Sequence, residues 1–445
     1  MHLETPACWA WALGTVVAFA PLSARAGAQA GGTAHPCGMP VDTGPTRTVV
    51  AEPDPAPPDI VGPGEFSIVL LPDTQCYCED YDLSPTSPST GNRYAQRFFD
   101  QTAWIVAHLD AYDIRFVSHV GDVVQNFDHG NASEWDVART ALNAFHPLGE
   151  PTRCPFVPYS ISLGNHDFDE PAAADLSATR FLAEYGPARF ENADGEFHAF
   201  YAGSDAGWKY VATGHPNETG KGLNSCQRFY AGPYEFLHIT LQCAPTNGSL
   251  AWAETILAAN PGVRTLVSTH AFLSGGNTHG GVAGVLFVAS EMGRLVPGKT
   301  NDAVAVWQKL IRRYDQIFIV LCGHAWEQEL VVMHNDFGHD VLVYEASFTL
   351  ESHGGKIRVA DQQGAQWAYT GADDDDRNGS GWLGLLVFAP KARHVTWYTY
   401  SPTLDVWACD RAPQDYPTTM TTYPWGADVI IRTPLDLDDS ARFAP

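Results

Sequence analysis

Basic residues are scarce in this chain: 26 Lys and Arg stand against 51 Asp and Glu in 445 residues, a formal net charge of −25. A field of that sign repels polyanions, so no nucleic-acid binding is expected from charge. It does not exclude a small phosphoester, because a bound divalent cation is often the largest local charge and reverses the sign where it sits. Structural-zinc spacing is also lacking, since Cys76-Tyr77-Cys78 is C-x-C and no second cysteine pair accompanies it. No internal repeat is present, which sets aside solenoids and propellers.

The first five residues hold Glu4 and neither Lys nor Arg, yet residues 7–22 are apolar and lead into Ala24-Arg25-Ala26 and Ala26-Gly27-Ala28, both small-x-small patterns. Residues 1–28 are therefore expected to be a signal peptide and the protein to be exported, periplasmic or extracellular. Pro21 and Arg25 interrupt a run that is short for a span of roughly 20 residues, so no stable membrane span is expected after signal removal. Without Cys8 the chain keeps Cys37, Cys76, Cys78, Cys154, Cys226, Cys243, Cys322 and Cys409. That even set, in an oxidising compartment, permits up to four disulfides. Residues 29–64 are proline-rich and read as an extended spacer, residues 65–409 as the folded domain and residues 410–445 as a tail without pattern.

With 45% hydrophobic and 12% aromatic residues the domain can bury a large core. Apolar, β-branched runs at 66–71, 114–120, 157–163, 236–241, 265–268 and 317–321 read as buried strands. Between them Phe98, Thr102 and Ile105, then Trp252, Ile256 and Leu257, then Val304, Trp307, Leu310 and Ile311 recur at helical spacing. After His324 the strand-like stretches 341–345, 382–388 and 395–400 follow without helices and are expected to complete a second sheet.

Five of the strands are followed by Leu71-Pro72-Asp73-Thr74-Gln75, Gly121-Asp122-Val123-Val124-Gln125-Asn126, Gly164-Asn165-His166-Asp167, Thr269-His270 and Gly323-His324-Ala325-Trp326. Ligand sites in open α/β sheets lie beyond the carboxyl ends of strands, where such loops converge. In order and strand context, across roughly residues 66–400, these motifs resemble the calcineurin-like metallophosphoesterase superfamily. The Leu-Pro-Asp-Thr-Gln opening is similar to an exported subgroup of it. The resemblance implies an α/β fold, a two-sheet β-sandwich flanked by helices (α-β-β-α). It further implies hydrolysis of a phosphomonoester or diester, small or macromolecular, by a hydroxide held on divalent metal ions, expected to number two. Asp122 would bridge the ions, Asn165, His270 and His324 would complete the second ion's shell, and Asp73 would belong to the first. Of the catalytic pair His166 and Asp167, His166 is the implied general acid and Asp167 a structural carboxylate behind it.

Two departures fall on the first ion, for Gln75 and Trp326 stand where the pattern has histidines. The amide oxygen of Gln75 would give an oxygen-rich shell suited to Mg²⁺, Mn²⁺ or Fe, with His119, His279 and Glu327 as replacement candidates. The competing reading is a single occupied site at the second position, the first ion recruited by substrate or absent; the alternative function is a noncatalytic phosphate-binding or surface-interaction protein that keeps the fold. His119 by itself reads as a core histidine. Asp374-Asp375-Asp376-Arg377-Asn378-Gly379 begins like a calcium loop, but its twelfth position is Leu385, and it reads as a solvated acidic turn. Residues 275–281 are a glycine-rich candidate substrate loop, and residues 190–226 a candidate cap.

Overall fold

The computed structural model describes residues 60–78, 94–126, 132–150, 155–169, 177–190, 209–213, 223–274, 285–286, 300–325, 328–348, 356–361, 364–369, 381–403, 405–407, 414–415, 422–423 and 431–443. The expected signal peptide, most of the spacer, Trp326, Glu327, His279, residues 275–281 and residues 374–379 lie outside them, as does most of the 190–226 stretch.

Two eight-stranded mixed sheets form the fold. In the first, Phe66–Leu71, Ile114–His119 and Tyr159–Ile161 run parallel, and Leu383–Ala389, His394–Ser401 and Ile431–Pro434 extend it antiparallel from the other side of Phe66–Leu71. In the second, Tyr234–Thr240, Arg264–Ala271, Ile317–Gly323 and Asp340–Ala346 run parallel, flanked antiparallel by Asn224–Ala231 and Gln328–His334.

Period-two alternation makes this a layered structure, because successive strand residues point to opposite faces. Phe66, Ile68 and Leu70 join Leu321, Leu342, Tyr344 and Phe388 in a core shared by both sheets. Phe66 lies edge-on to Phe236 at 5.7 Å and Phe116 stacks on Phe229 at 4.6 Å, so aromatic rings tie sheet to sheet. Val69, Leu71, Val320, Val343 and Leu385 fall on the other faces, among helix residues such as Phe98, Ile105, Trp135, Leu250, Leu257 and Trp307. That is the expected α-β-β-α order.

Local chemistry starts the helices. Thr246 Oγ1 accepts the Ser249 amide at 3.0 Å before Asn247–Ala259, and Asp302 Oδ1 accepts the Ala305 amide at 2.7 Å before Ala303–Lys309. Pro261 and Gly262, the latter at φ 72°, follow the end of the first of these. Helix Ala95–Ala107 buries Phe98, Thr102 and Ile105 as their spacing requires. Among the described residues no helix is long and apolar enough to cross a membrane.

Several expectations are corrected. The strands after His324 do not make one sheet: Asp340–Ala346 enters the second, whereas Leu383–Ala389 and His394–Ser401 complete the first, where Phe66–Leu71 has an edge to be paired. The fold also runs past residue 409, for Ile431–Pro434 pairs with His394–Ser401, and Phe443 packs edge-on against Phe318 at 5.8 Å. Ile60, within the expected spacer, is already buried in the core. Among the described residues Cys76, Cys78, Cys226, Cys243 and Cys322 are buried and no disulfide joins them to one another, against the up to four that the cysteine count permits. They pack as small apolar side chains. Leu385, the twelfth position of the candidate calcium loop, is a fully buried strand residue.

His238 is buried in a strand, 4.7 Å from the Phe116 ring, and burial lowers its pKa from 6.5 to about 3. The unfolded chain therefore binds a proton that the fold refuses. Stability from this group is complete above about pH 6.5 and is lost as pH falls toward 3, at up to ~1.4 kcal/mol per pH unit. Urea midpoints measured from pH 7 to 4 should fall less steeply in His238→Phe than in the parent chain. Parallel slopes would mean that the imidazole titrates normally in the folded protein.

Candidate metal centre

The carboxyl ends of the parallel strands deliver the five motifs to one place. Asp73 follows Phe66–Leu71, Asp122 follows Ile114–His119, Asn165 and His166 follow Tyr159–Ile161, His270 lies near the end of Arg264–Ala271, and His324 follows Ile317–Gly323. Both sheets thus contribute to a single cluster. Asp73, Asp122, Asn165 and His270 are buried, and His166 and His324 are partly open.

His270 organises it. Its Nδ1 donates to the Val120 carbonyl at 3.0 Å, which directs Nε2 toward Asn165 Oδ1 at 2.9 Å, Asp122 Oδ2 at 3.1 Å and His324 Nδ1 at 3.2 Å. Four lone-pair atoms on two sheets converge, and the donor atoms of Asp122, His270 and His324 all lie within 4.8 Å of one another. Acceptors gathered this way require a shared proton or a cation between them. Burial pulls His270 down, but the Asp122 and Asp73 carboxylates more than offset it and raise it to about 9. Burial pushes Asp122 up, and His270, His166 and His324 overcome it to hold the carboxyl well below its usual range. A metal ion and that proton satisfy the same lone pairs, so one replaces the other. Two imidazoles, a carboxylate and an amide oxygen suit Zn²⁺, Fe or Mn²⁺.

The backbone is bent to make the cluster. Asp122 and His324 both adopt left-handed conformations, φ 51° and 79°, which cost non-glycine residues about 1–3 kcal/mol. Glycines clear the space around them. A Cβ on Gly164 would lie 2.2 Å from Asp122 Oδ1, and one on Gly323 would lie 2.2 Å from Asp73 Oδ1.

Asp73 sits beside the cluster. Its Oδ2 accepts the His324 amide at 2.9 Å and the Ser347 hydroxyl at 2.5 Å, while Oδ1 is 3.7 Å from His270 Nδ1 and has no hydrogen-bond partner. Burial first, then the Asp122 charge, raises its pKa to about 7 against the pull of His270. Gln75, two residues on in the short helix Gln75–Cys78, is buried with Oε1 likewise without a partner. Two buried oxygens without hydrogen-bond partners are the donor type a hard cation takes. Ser347 escaped the sequence reading, because no motif marks it; only the second sheet brings it 274 positions back to Asp73.

Asp167 is buried and directed at backbone amides. Its Oδ1 accepts the amides of Val123 at 2.8 Å and Val124 at 3.2 Å, and its Oδ2 accepts that of Gly164 at 2.8 Å, locking the Asp122 loop to the Asn165 loop. Its geometry is that of a loop lock. His119 is a tie of the same kind: Nδ1 accepts the Gly121 amide at 3.1 Å, so Nε2 carries the proton and donates to Thr74 Oγ1 at 3.0 Å. It lies outside the ligand cluster, and burial, then the His270 charge, lowers it to about 3. His166 points its Nδ1 at the Gln125 carbonyl, 2.6 Å away, and its amide donates to Asp122 Oδ1 at 2.8 Å.

Asp167→Asn tests the division of labour. Placing an NH₂ against one of the backbone donors should cost about 1–3 kcal/mol of stability, read from urea unfolding, along with any loss of metal affinity. Unchanged stability would return Asp167 to the reacting groups.

No protein-family model matches the sequence. The chain is 23% identical over 339 residues to an uncharacterized protein of Bacillus subtilis (strain 168), YvnB; the match covers 76% of this chain and 20% of that one, so the chain spans about a fifth of the relative's length. Solved structures that it resembles include a dimetal phosphatase from Danio rerio (TM-score 0.38, 11% identity, 76% of this chain and 96% of that one). GAP50, the anchor in the inner membrane complex of Plasmodium, gives 0.39 and 9%, over 76% and 85%. The calcineurin-like phosphoesterase YfkN from Bacillus subtilis gives 0.29 and 12%, over 78% and 88%. Likenesses this distant assign no residue a role; the donor geometry has to do so.

Proposed function

We propose that the chain is an exported, metal-dependent phosphoester hydrolase of the calcineurin-like metallophosphoesterase type. The observation that carries this is the convergence of Asp122 Oδ2, Asn165 Oδ1, His270 Nε2 and His324 Nδ1 beside an oriented, partly open His166. Asp122, Asn165, His270 and His324 would hold one divalent ion. Asp73, Asp122 and the Gln75 amide oxygen would be the residues to hold a second. Bound there, a divalent cation supplies Lewis acidity toward a phosphoryl oxygen and a lowered pKa for its water.

The chain's own groups supply the rest. His270, fixed by Val120, and His324 present ring nitrogens to the same point and would be the imidazoles that hold the ion. His166 donates from Nδ1 to Gln125, so Nε2 is the ring nitrogen that passes a proton to the leaving oxygen. Its amide on Asp122 Oδ1 keeps that ring in register with the ion-binding carboxylate. The apolar run before Ala24-Arg25-Ala26 supports action outside the cytoplasm.

Elemental analysis of the purified chain, with p-nitrophenyl phosphate and bis-p-nitrophenyl phosphate turnover under Mn²⁺, Mg²⁺, Fe²⁺ or Zn²⁺, tests the reading. Turnover should vanish with a chelator and return with metal, and the thermal midpoint should drop on chelation because the ion binds only the folded state. His166→Ala should lose about 10²–10⁴-fold in kcat with metal content intact. Asp122→Asn should lose metal as well as activity. A chain that binds no ion and turns over neither ester would instead be a noncatalytic binding protein on the same fold.

A further inference from the structure

Glu134 is almost completely buried, in the first turn of helix Ala132–Asn143, and its hydrogen bonds are not those of a helix cap. One carboxylate oxygen, Oε2, accepts the backbone amides of Gln125 at 3.0 Å and Asn126 at 3.1 Å; the other accepts Asn126 Nδ2 at 2.5 Å. The Asn126 amide nitrogen and the Gln125 carbonyl belong to the same peptide group. That carbonyl is the one that accepts His166 Nδ1 at 2.6 Å.

A single peptide plane therefore runs from a buried anion to the imidazole. A carboxylate on the N–H end of an amide increases electron density on its oxygen, and hydrogen bonds in such a chain strengthen one another. The amide also fixes where the oxygen points. The Gln125 loop follows the strand that carries Asp122, so any rocking of it would carry His166 out of line with the ion-binding carboxylate.

We propose that Glu134 is a positioning residue for His166, acting through the Gln125–Asn126 peptide as a carboxylate–amide–histidine relay. The proposal rests on His166 being the general acid. Glu134 does not touch substrate or ion. It sets the direction and polarisation of the carbonyl that orients the acid, so its effect scales with how much the leaving group needs a proton.

The test is a series of aryl phosphoesters from p-nitrophenyl to phenyl, turned over by the full metal-loaded chain and its Glu134→Ala, Glu134→Gln and His166→Ala variants. Outer partners of this kind typically contribute about 10–100-fold. Glu134→Ala is expected to lose that much in kcat with phenyl esters, distinctly less with p-nitrophenyl, and nothing in KM. It should add nothing to His166→Ala. Glu134→Gln, which can keep both backbone amides paired, should show the same trend at smaller size and covers the case in which the alanine variant fails to fold. Equal losses across the leaving groups, or additive losses in the double variant, overturn the relay. In ¹⁵N-histidine-labelled protein the Nδ1 proton of His166 should move upfield in Glu134→Gln while the other histidines stay in place. That readout needs no turnover, so a chain inactive on every ester would sink the hydrolase reading while the resonance still decides the relay. An unmoved resonance sinks the relay.

Discussion

The contact between Asp122 and His270 holds the two halves of this molecule to one purpose. The carboxylate leaves the end of a strand in the first sheet, the imidazole stands on a strand in the second, and their atoms meet at 3.1 Å inside a core that excludes water. A buried charge pair contributes stability only when its remaining lone pairs are satisfied. Here Val120 takes the far nitrogen of His270 and the His166 amide takes one oxygen of Asp122. What is left faces Asn165 and His324, and a shared proton or a cation would satisfy it.

Around that contact the fold accepts local costs. Asp122 and His324 sit in left-handed backbone that their side chains disfavour, and glycines at 164 and 323 leave space into which a methyl group would intrude. Strain of this kind persists only where neighbours overdetermine it. Three backbone amides on Asp167, the His119 tie between the Thr74 and Gly121 segments, and the Ser347 hydroxyl on Asp73 provide that restraint. Each joins loops from different strands, so the cluster is set by several weak links in parallel.

Carboxylates at the site divide by what surrounds them. Asp122 and Asp73 are both desolvated, but Asp122 stands among three imidazoles and is held ionised, whereas Asp73, with the Asp122 anion beside it, is pushed toward the neutral form. Asp167 and Glu134 are directed at backbone amides, away from the ligand cluster. The same functional group thus takes its character from what faces it: imidazoles, a second carboxylate or backbone amides.

The motif residues were legible in the chain because each lies within a few positions of an apolar run that forms a strand whatever surrounds it. Asp73, Asp122, Asn165, His166, His270 and His324 could be named, and their place past strand ends followed from local pattern. The order of layers was legible too, since alternation such as Phe66, Ile68, Leu70 against Val69, Leu71 needs an apolar layer on both faces. Sheet membership of the C-terminal strands was not, because pairing between Val69 and Leu385 is decided by an open edge over 300 residues away. The short 431–434 strand was missed for the same reason. Cysteine number suggested disulfides, but only packing shows that five of these side chains are core filler. Ser347 and Glu134 carry no motif, and their roles arise from hydrogen bonds that exist once loops from separate strands have been brought together. Sequence by itself determined which groups could do chemistry and at which strand ends they stand; tertiary structure decided which lone pairs face one another, because direction and distance between remote strands are properties of the packed sheets alone.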